Sequence, residues 1–289
     1  MIERDLRIRI GTDSALVAER ALAEDGPEDV TTRVAVDPSQ FATAIVEFRS
    51  DGVLAGTAYA DAVTTLCELG GVIWQSATGS KIKAGTTVGV LQGNLAAILR
   101  AERPMLNLLQ RAVGIATLTR AYVDQVDGTR TKVLHTRKTA PGLRLLDVSA
   151  VVAGGGYLHR LDLAHTVMVK DNHWRALEQS GHSLKDVLAR ARSAGVAECH
   201  VEVESPAQLE AACAAGATRL LIDNQTPATV RDWAGMARGK SPAIEIEATG
   251  GISLENVRAF AEAGADFVSI GALTHSVIAA DVSLEVKLD

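Results

Sequence analysis

The chain has 289 residues, enough for one large domain or two, with a formal net charge of -6 and 3% aromatic residues. An acidic chain with so few aromatic side chains lacks the basic stripe and stacking rings of a nucleic-acid-binding surface. No charge-free apolar run is long enough to cross a bilayer, and three scattered cysteines without a CxxC pair indicate neither disulfides nor zinc. We therefore expect a cytoplasmic protein that acts on a small anionic molecule, with no nucleic-acid or membrane partner.

The first part of the chain predicts antiparallel sheet. Apolar and polar residues alternate in FATAIVEFRS (41–50) and in GTTVGVLQG (85–93), and Gly and Asp turns separate these segments. A helical pattern follows over 94–126, and it contains Pro104, which could interrupt it. The alternation returns in DVSLEVKLD (281–289), which we expect to rejoin the N-terminal sheet.

From about Leu134 onward, one pattern is repeated: a short aliphatic run, then polar residues, then a helical segment. The runs are TKVLHTRK, HTVMVKDN, CHVEVES, RLLIDNQ, AIEIEATGG and DFVSIGAL. Strands that alternate with helices build a parallel sheet, either closed into a barrel or left as an open doubly wound sheet. We predict an N-terminal α/β domain over 1–112, joined by 277–289, and a barrel domain over 113–276.

In such a barrel the chemistry lies at the carboxyl ends of the strands, where the loops converge. The six runs and the GGGYLHR segment would place cations, a histidine, carboxylates and glycines there: Arg137, Lys138, His159, Arg160, Lys170, Glu202, Glu204, Asp223, Glu247, Gly250, Gly251 and Gly271. Each acidic pair alone fits the wet face of a half-exposed strand. Parallel strands covered by helices on both faces make that interpretation less favourable, because an unpaired buried charge is costly.

The residue types suggest two tasks. Arg and Lys bind carboxylate or phosphate oxygens directly, whereas carboxylates would hold Mg²⁺, which prefers oxygen ligands and binds phosphates through one or two acids. Gly250 and Gly251 precede a helix that we predict to be capped by Ser253, and free amides at such a helix start form a phosphate site. A substrate pair with a diphosphate and carboxylates would use every part.

Seven motifs in this order and spacing resemble the quinolinate phosphoribosyltransferase family. They are TRKTAPGLR, GGGYLHR, VKDNH, VEVES, LIDN, EATGGI and SIGALTHS, and EDGPEDVTTR and LRAERPMLNLLQRAVGIAT extend the likeness over nearly the whole chain. The resemblance implies an α/β fold: an incomplete, about six-stranded α/β barrel of type II phosphoribosyltransferases with an N-terminal open-faced α/β sandwich, in a homodimer. It implies transfer of phosphoribose from phosphoribosyl diphosphate to quinolinate with Mg²⁺, giving nicotinate mononucleotide, diphosphate and CO2 for NAD biosynthesis.

The resemblance also implies roles for individual residues. The catalytic set is Lys138, Lys170, Glu202 and Asp223, and the last two are also expected at the metal. The set that binds quinolinate is Arg103 (from the neighbouring subunit), Arg137, His159, Arg160 and Lys170. The set at the phosphate end is Lys138, Thr249, Gly250, Gly251, Gly271 and His275.

The chain departs from the family pattern near this site, where Val148 and Ser149 replace a Lys-Tyr pair and Leu158 replaces an Asn. A related phosphoribosyltransferase for another aromatic acid is therefore an alternative. A barrel aldolase that uses Lys170 as a Schiff-base nucleophile is a second alternative. A phosphosugar sensor without catalysis is a third, because a fold alone does not fix function.

Overall fold

The computed structural model describes residues 2–288 of the chain. The chain forms two compact units: unit 1 comprises Met1–Arg120, Lys138–Gly155 and Ala272–Asp289, and unit 2 comprises Ala121–Arg137 and Gly156–Gly271. The domain limits predicted from the sequence stay a prediction. Within residues 2–288, no helix combines the length and the apolar composition that a membrane crossing requires.

The helices are α1 (Ile2–Glu24), α2 (Val30–Ala35), α3 (Thr57–Leu66), α4 (Leu95–Gln125), α5 (Arg144–Ala153), α6 (Asp171–Ser180), α7 (Leu184–Ser193), α8 (Pro206–Ala215), α9 (Pro227–Lys240), α10 (Val257–Glu262) and α11 (Ala272–His275). The strands are β1 (Phe41–Phe48), β2 (Gly52–Val53), β3 (Ile73–Trp74), β4 (Lys81–Ile82), β5 (Thr87–Asn94), β6 (Lys132–Leu134), β7 (Val167–Val169), β8 (Cys199–Val203), β9 (Arg219–Asp223), β10 (Glu245–Thr249), β11 (Phe267–Ser269) and β12 (Val282–Leu288).

Unit 1 contains an antiparallel sheet in the order β12-β1-β5-β3. Side chains of β1 alternate between buried and more accessible positions, as its sequence pattern predicts, with Ala42, Ala44, Val46 and Phe48 buried. The C-terminal strand β12 pairs with β1, which confirms the predicted return of the chain to this sheet.

Two helices differ from what the sequence suggested. The pattern over 94–126 forms α4, and Pro104 lies inside this helix without ending it. The long helix α1 was not predicted. It packs against α3 and buries Ser14, Val17 and Ala18, which lie on one helical face.

Unit 2 contains a parallel sheet of six strands in the order β6-β11-β10-β9-β8-β7. All six predicted runs form these strands, and the sheet has the strand number expected for the incomplete α/β barrel. Strand β8 is buried along its whole length, as a strand of a helix-covered parallel sheet should be. Polar groups within β8 therefore face the protein interior.

Candidate active site

The carboxyl ends of the strands in unit 2 carry much of the predicted site. Arg137 follows β6, Lys170 follows β7, Glu202 lies within β8 with Glu204 just after it, Asp223 ends β9, and Thr249 ends β10 before Gly250 and Gly251. Because parallel strands present these ends at one edge, sequence positions far apart become neighbours. The following contacts are all within unit 2 unless unit 1 is named.

Lys170 and Glu202 form a close ion pair between Nζ and Oε2. The Glu202 side chain is 8% exposed and that of Lys170 is 40% exposed, so the carboxylate lies inside and the ammonium reaches toward solvent. The main chain around the pair is also held. Trp174 Nε1 donates to the Glu202 carbonyl oxygen over 2.8 Å, and the Lys170 N–H donates to His173 Nδ1 over 3.1 Å.

Three carboxylates lie together at the ends of β8 and β9. Oxygen atoms of Glu202, Glu204 and Asp223 all lie within 4.8 Å of one another. Burial, and then the nearby Glu202 charge, raise the pKa of Asp223, with Lys170 and Asn224 acting against this. The oxygen donors fit the preference of Mg²⁺. The predicted pair Glu202 and Asp223 is brought together, and Glu204, assigned to the strand ends but not to the metal, joins it.

Asn224, the residue after β9, supports Asp223 and contacts the end of the neighbouring strand β10. Asn224 has a positive φ of 51°, its N–H donates to the Thr249 carbonyl oxygen over 2.9 Å, and its Nδ2 donates to Asp223 Oδ2 over 2.6 Å. Gly250 has a φ of 77°, and a Cβ there would overlap the Asn224 side chain. Glycine is therefore required at residue 250 by both backbone conformation and space.

The predicted helix start at Ser253 is wrong. The helix α10 begins at Val257, and Asn256 occupies its N-cap position without a side-chain cap bond. Asn256 instead folds back, accepting from the Ser253 N–H over 2.8 Å and donating to the Gly251 carbonyl oxygen over 2.9 Å. The Asn256 side chain stabilises the turn that precedes α10, in which the Val257 N–H donates to the Ser253 carbonyl oxygen over 2.9 Å.

A cationic group lies around Arg137 and Arg160. Burial, and then the Arg137 charge, lower the pKa of Arg160, while the Glu247 carboxylate opposes this shift. The buried Nε of Arg137 donates to no acceptor among residues 2–288. A buried cationic donor without an acceptor is costly unless an anion satisfies it. These two arginines therefore favour an anionic ligand.

Glu247 lies within β10 at the register level of Glu202, since both are aligned with Leu221 of β9, and its carboxylate is enclosed by protein groups. Its side chain is 1% exposed, Oε1 accepts from Ser269 Oγ over 2.7 Å, and Oε2 accepts from Arg219 Nη1 over 3.1 Å. His159 Nε2 lies 3.4 Å from the same Oε2, an electrostatic contact rather than a directed hydrogen bond. Burial alone would raise the pKa of Glu247, but His159, Ser269 and Arg219 outweigh it and lower the pKa to about 2.

Three predicted residues belong to unit 1: Arg103, Lys138 and His275. Arg103 is on α4 with a 60% exposed side chain, 3.6 Å from Glu102. Thr274, next to His275, donates from Oγ1 to the Lys138 carbonyl oxygen over 2.7 Å, so these two segments are joined within unit 1.

Sequence analysis missed one buried ion pair in unit 1. Arg111 donates from Nε and Nη2 to the two oxygens of Asp147, each over 2.8 Å, and Asp147 is fully buried. Asp147 also accepts from the Ala140 N–H over 3.0 Å, which ties down the loop that follows Lys138. The available signal was one carboxylate inside the apolar run LLDVSAVV (145–152).

The positions that depart from the family pattern serve α5 and the segment after it. Val148 is buried, and Ser149 Oγ donates to the Leu146 carbonyl oxygen over 2.8 Å within its own helix. Leu158 is half-buried. No altered position removes a member of the predicted cationic set.

Comparison with known proteins identifies the family. The model of the quinolinate phosphoribosyl transferase N-terminal domain matches residues 29–113, and the model of its C-terminal domain matches residues 115–285. The chain belongs to the quinolinate phosphoribosyl transferase family. It is 40% identical over 270 residues to a probable nicotinate-nucleotide pyrophosphorylase (carboxylating) of Bacillus subtilis, covering 92% of this chain and 91% of that one. It is 39% identical to the Mycobacterium leprae nicotinate-nucleotide pyrophosphorylase (carboxylating), covering 92% and 94%.

Solved structures of this family have the same fold. The nicotinate-nucleotide pyrophosphorylase of Francisella tularensis superposes with a TM-score of 0.87 at 31% identity, covering 96% of this chain and 97% of that one. The parallel sheet of six strands and the separate antiparallel sheet are therefore the family's incomplete α/β barrel and N-terminal domain, as predicted.

Proposed function

We propose that this chain transfers phosphoribose from phosphoribosyl diphosphate to quinolinate with loss of CO2, giving nicotinate mononucleotide and diphosphate for NAD biosynthesis. The observation that carries the proposal is the juxtaposition, in unit 2, of the Lys170–Glu202 ion pair with Asp223 and Glu204 at neighbouring strand ends. Membership of the family agrees with it, since curated relatives at about 40% identity carry that activity in their names.

Cations hold the acceptor in this proposal. Quinolinate carries two adjacent carboxylates, and Arg137, Arg160 and Lys170 are the unit 2 cations assigned to them. The unsatisfied Nε of Arg137 and the electrostatic strain between Arg137 and Arg160 support this assignment, because bound carboxylates would relieve both. His159, which the resemblance also places at the acceptor, precedes Arg160 in the chain and has a side chain that is 7% exposed.

Carboxylates serve the ribose. As the bond from C1 to the diphosphate breaks, the ribose becomes cation-like, and Glu202 and Asp223 stabilise that charge. Magnesium bound near these acids, with Glu204 as a further oxygen donor, would neutralise the charge of the leaving diphosphate. Lys170 keeps Glu202 in place through their ion pair and presents its ammonium at the accessible side.

From the resemblance, the phosphate groups of the donor are assigned to Thr249, Gly250, Gly251 and Gly271 of unit 2; the same assignment for Lys138 and His275, of unit 1, stays a prediction. Two features support the glycine segment. Gly250 and Gly251 both have positive φ, 77° and 63°, and Gly251 has no neighbouring atom within 4 Å of a built Cβ. Open backbone of this kind allows close approach of a phosphate.

The order of events follows from charge. The pyridine nitrogen attacks C1 of the ribose as diphosphate leaves, which makes the ring nitrogen a cation. The C2 carboxylate then departs as CO2, the bonding electrons stay at C2 beside that cation, and a proton from water replaces the carboxylate. Lys170 does not suit the alternative Schiff-base mechanism, which needs a neutral amine, because it is paired with the Glu202 carboxylate.

A homodimer belongs to the same proposal. Arg103 lies on the surface of α4 with its side chain 60% exposed, and it would complete the acceptor site of the neighbouring subunit. The cytoplasmic location stays a prediction, which fractionation of cells producing the protein would check.

One assay tests the proposed function. Purified protein is mixed with phosphoribosyl diphosphate, Mg²⁺ and either quinolinate or nicotinate, and diphosphate and CO2 are measured. We expect turnover with quinolinate, with CO2 and diphosphate released in equal amounts, and no turnover with nicotinate, because one carboxylate would leave buried cations unpaired. Efficient use of nicotinate, or of another aromatic acid in place of quinolinate, would overturn the proposal.

A further inference from the structure

A buried polar group in unit 2 is centred on Glu247, a residue to which the proposed reaction gives no role. Its carboxylate is held by Ser269 and Arg219 and faces His159 Nε2 at 3.4 Å. A buried ion pair adds little net stability compared with apolar residues of similar volume, because desolvation costs as much as the attraction returns. A purely structural role therefore explains the burial of this charge poorly.

Arg219 does not need Glu247 as a counterion. The guanidinium already donates from Nε and Nη2 to Glu245 Oε2, over 2.9 and 2.7 Å, and it stacks over the Phe267 ring at 3.9 Å. Glu245 is 45% exposed, so this pair resembles an ordinary surface-facing ion pair. The second carboxylate, fully buried, serves another neighbour.

That neighbour is His159. Its Nδ1 accepts from the Arg160 main-chain N–H over 2.8 Å, so the proton of the neutral ring lies on Nε2, the atom facing Glu247. His200 closes the third side, with its ring 5.9 Å away in an edge-on arrangement. Burial, and then the Arg219 charge, lower the pKa of His200 to about 3, so this ring is neutral and adds no charge beside His159.

We propose that Glu247 is a positioning residue for the acceptor site: it fixes the tautomer and orientation of His159, whose ring in turn holds the main chain of Arg160. This inference rests on the proposed function, in which Arg160 binds an acceptor carboxylate. Both ring nitrogens of His159 face protein groups, Nδ1 through its hydrogen bond and Nε2 through the 3.4 Å electrostatic contact with Glu247, so His159 serves the acceptor site by placing Arg160. The buried negative charge also offsets the mutual repulsion of Arg160 and Arg137.

The test compares Glu247→Gln with Glu245→Gln. Both changes remove a charge that faces Arg219, but only the first removes the charge that faces His159. We expect Glu247→Gln to raise the KM for quinolinate by about tenfold, the loss typical of a charge-assisted contact, with the KM for phosphoribosyl diphosphate changed by less than about twofold. Glu245→Gln should leave both constants within about twofold of wild type. Equal quinolinate KM values in the two variants would overturn the proposal.

A spectroscopic readout separates positioning from stability. In protein with nitrogen-15-labelled histidine, the wild type and Glu245→Gln should show His159 protonated at Nε2 only, and Glu247→Gln should show mixed protonation. Unchanged spectra in Glu247→Gln would refute the tautomer role. If wild-type protein fails to turn over quinolinate, the proposed function is lost, whereas these spectra still decide the role of Glu247.

A milder variant covers the case in which Glu247→Gln does not fold. Ser269→Ala removes the donor to Oε1 and leaves every charge in place. We expect a rise of about threefold in the quinolinate KM, smaller than for the charge change because a neutral donor is lost. A wild-type KM in Ser269→Ala, with Glu247→Gln unfolded, would count against the proposal.

Discussion

Glu202 and Asp223, two acidic residues at neighbouring strand ends, should be required for turnover but not for binding of the acceptor. We expect Glu202→Ala and Asp223→Ala each to lower turnover by about 100-fold or more, because each removes one positioned charge from the developing ribose cation. Quinolinate should still bind, since both variants retain the cations assigned to its carboxylates, Arg137, Arg160 and Lys170. Turnover measured beside titration calorimetry with quinolinate checks this, and near-normal turnover in either variant would remove its carboxylate from the mechanism.

The negative charge of Asp223, which the proposed function requires, should lower the stability of the folded protein. Burial and the Glu202 charge raise the pKa of Asp223, so ionising this carboxyl group destabilises the folded state. The destabilisation is absent below the pKa of the unfolded state, and it grows as the pH rises through the pKa of the folded state. We therefore expect Asp223→Asn to melt higher than wild type at pH 7, on the order of 1–3 °C, with little difference near pH 3. Thermal unfolding at both pH values checks the sign, and a lower melting temperature at pH 7 would contradict it.

At the scale of elements, the turn after β10 should require glycine at residue 250. Gly250→Ala would meet Asn224, whereas Gly251→Ala has a similar positive φ but no atom within 4 Å of the new Cβ. Both should lose about 1 kcal/mol of unfolding free energy to backbone strain, and Gly250→Ala should lose at least about 1 kcal/mol more to the overlap. Urea unfolding of the pair measures the difference, and equal losses would show that Asn224 moves aside at no cost.

The strands of unit 2 could be predicted from the sequence because each is a short aliphatic run between polar turn residues, a pattern with one structural solution. The burial of individual side chains on these strands could not be predicted. The period of two in IEIE places Glu245 and Glu247 on one face, but it does not say that one is 45% and the other 1% exposed. The start of α10 was misplaced for a related reason. Ser253 and Asn256 are both good cap residues, and only the hydrogen bonds of Asn256 within the turn decide between them.

At the scale of the whole molecule, the motifs predicted the family and the fold because seven short segments in a fixed order are hard to produce by chance. The motifs could not predict the ion pairs and hydrogen bonds that hold the site residues in place. The bidentate pair of Arg111 and Asp147 joins residues 36 apart in sequence. Glu247 on β10 accepts a hydrogen bond from Ser269 on the neighbouring strand β11. Such partners are chosen by tertiary packing, so no local pattern marks them.

The prediction that belongs to the assembly concerns Arg103. Mixing the Arg103→Ala and Lys170→Ala proteins, each expected to be inactive alone, should restore activity if every site takes its Arg103 from the other subunit. Random exchange makes half of the dimers hybrids, and each hybrid has one site with both wild-type residues, so recovery should approach about a quarter of wild-type activity. Differently tagged subunits and native mass spectrometry would show that exchange occurs. Hybrid dimers that form without any recovered activity would place Arg103 in the site of its own chain or outside the site altogether.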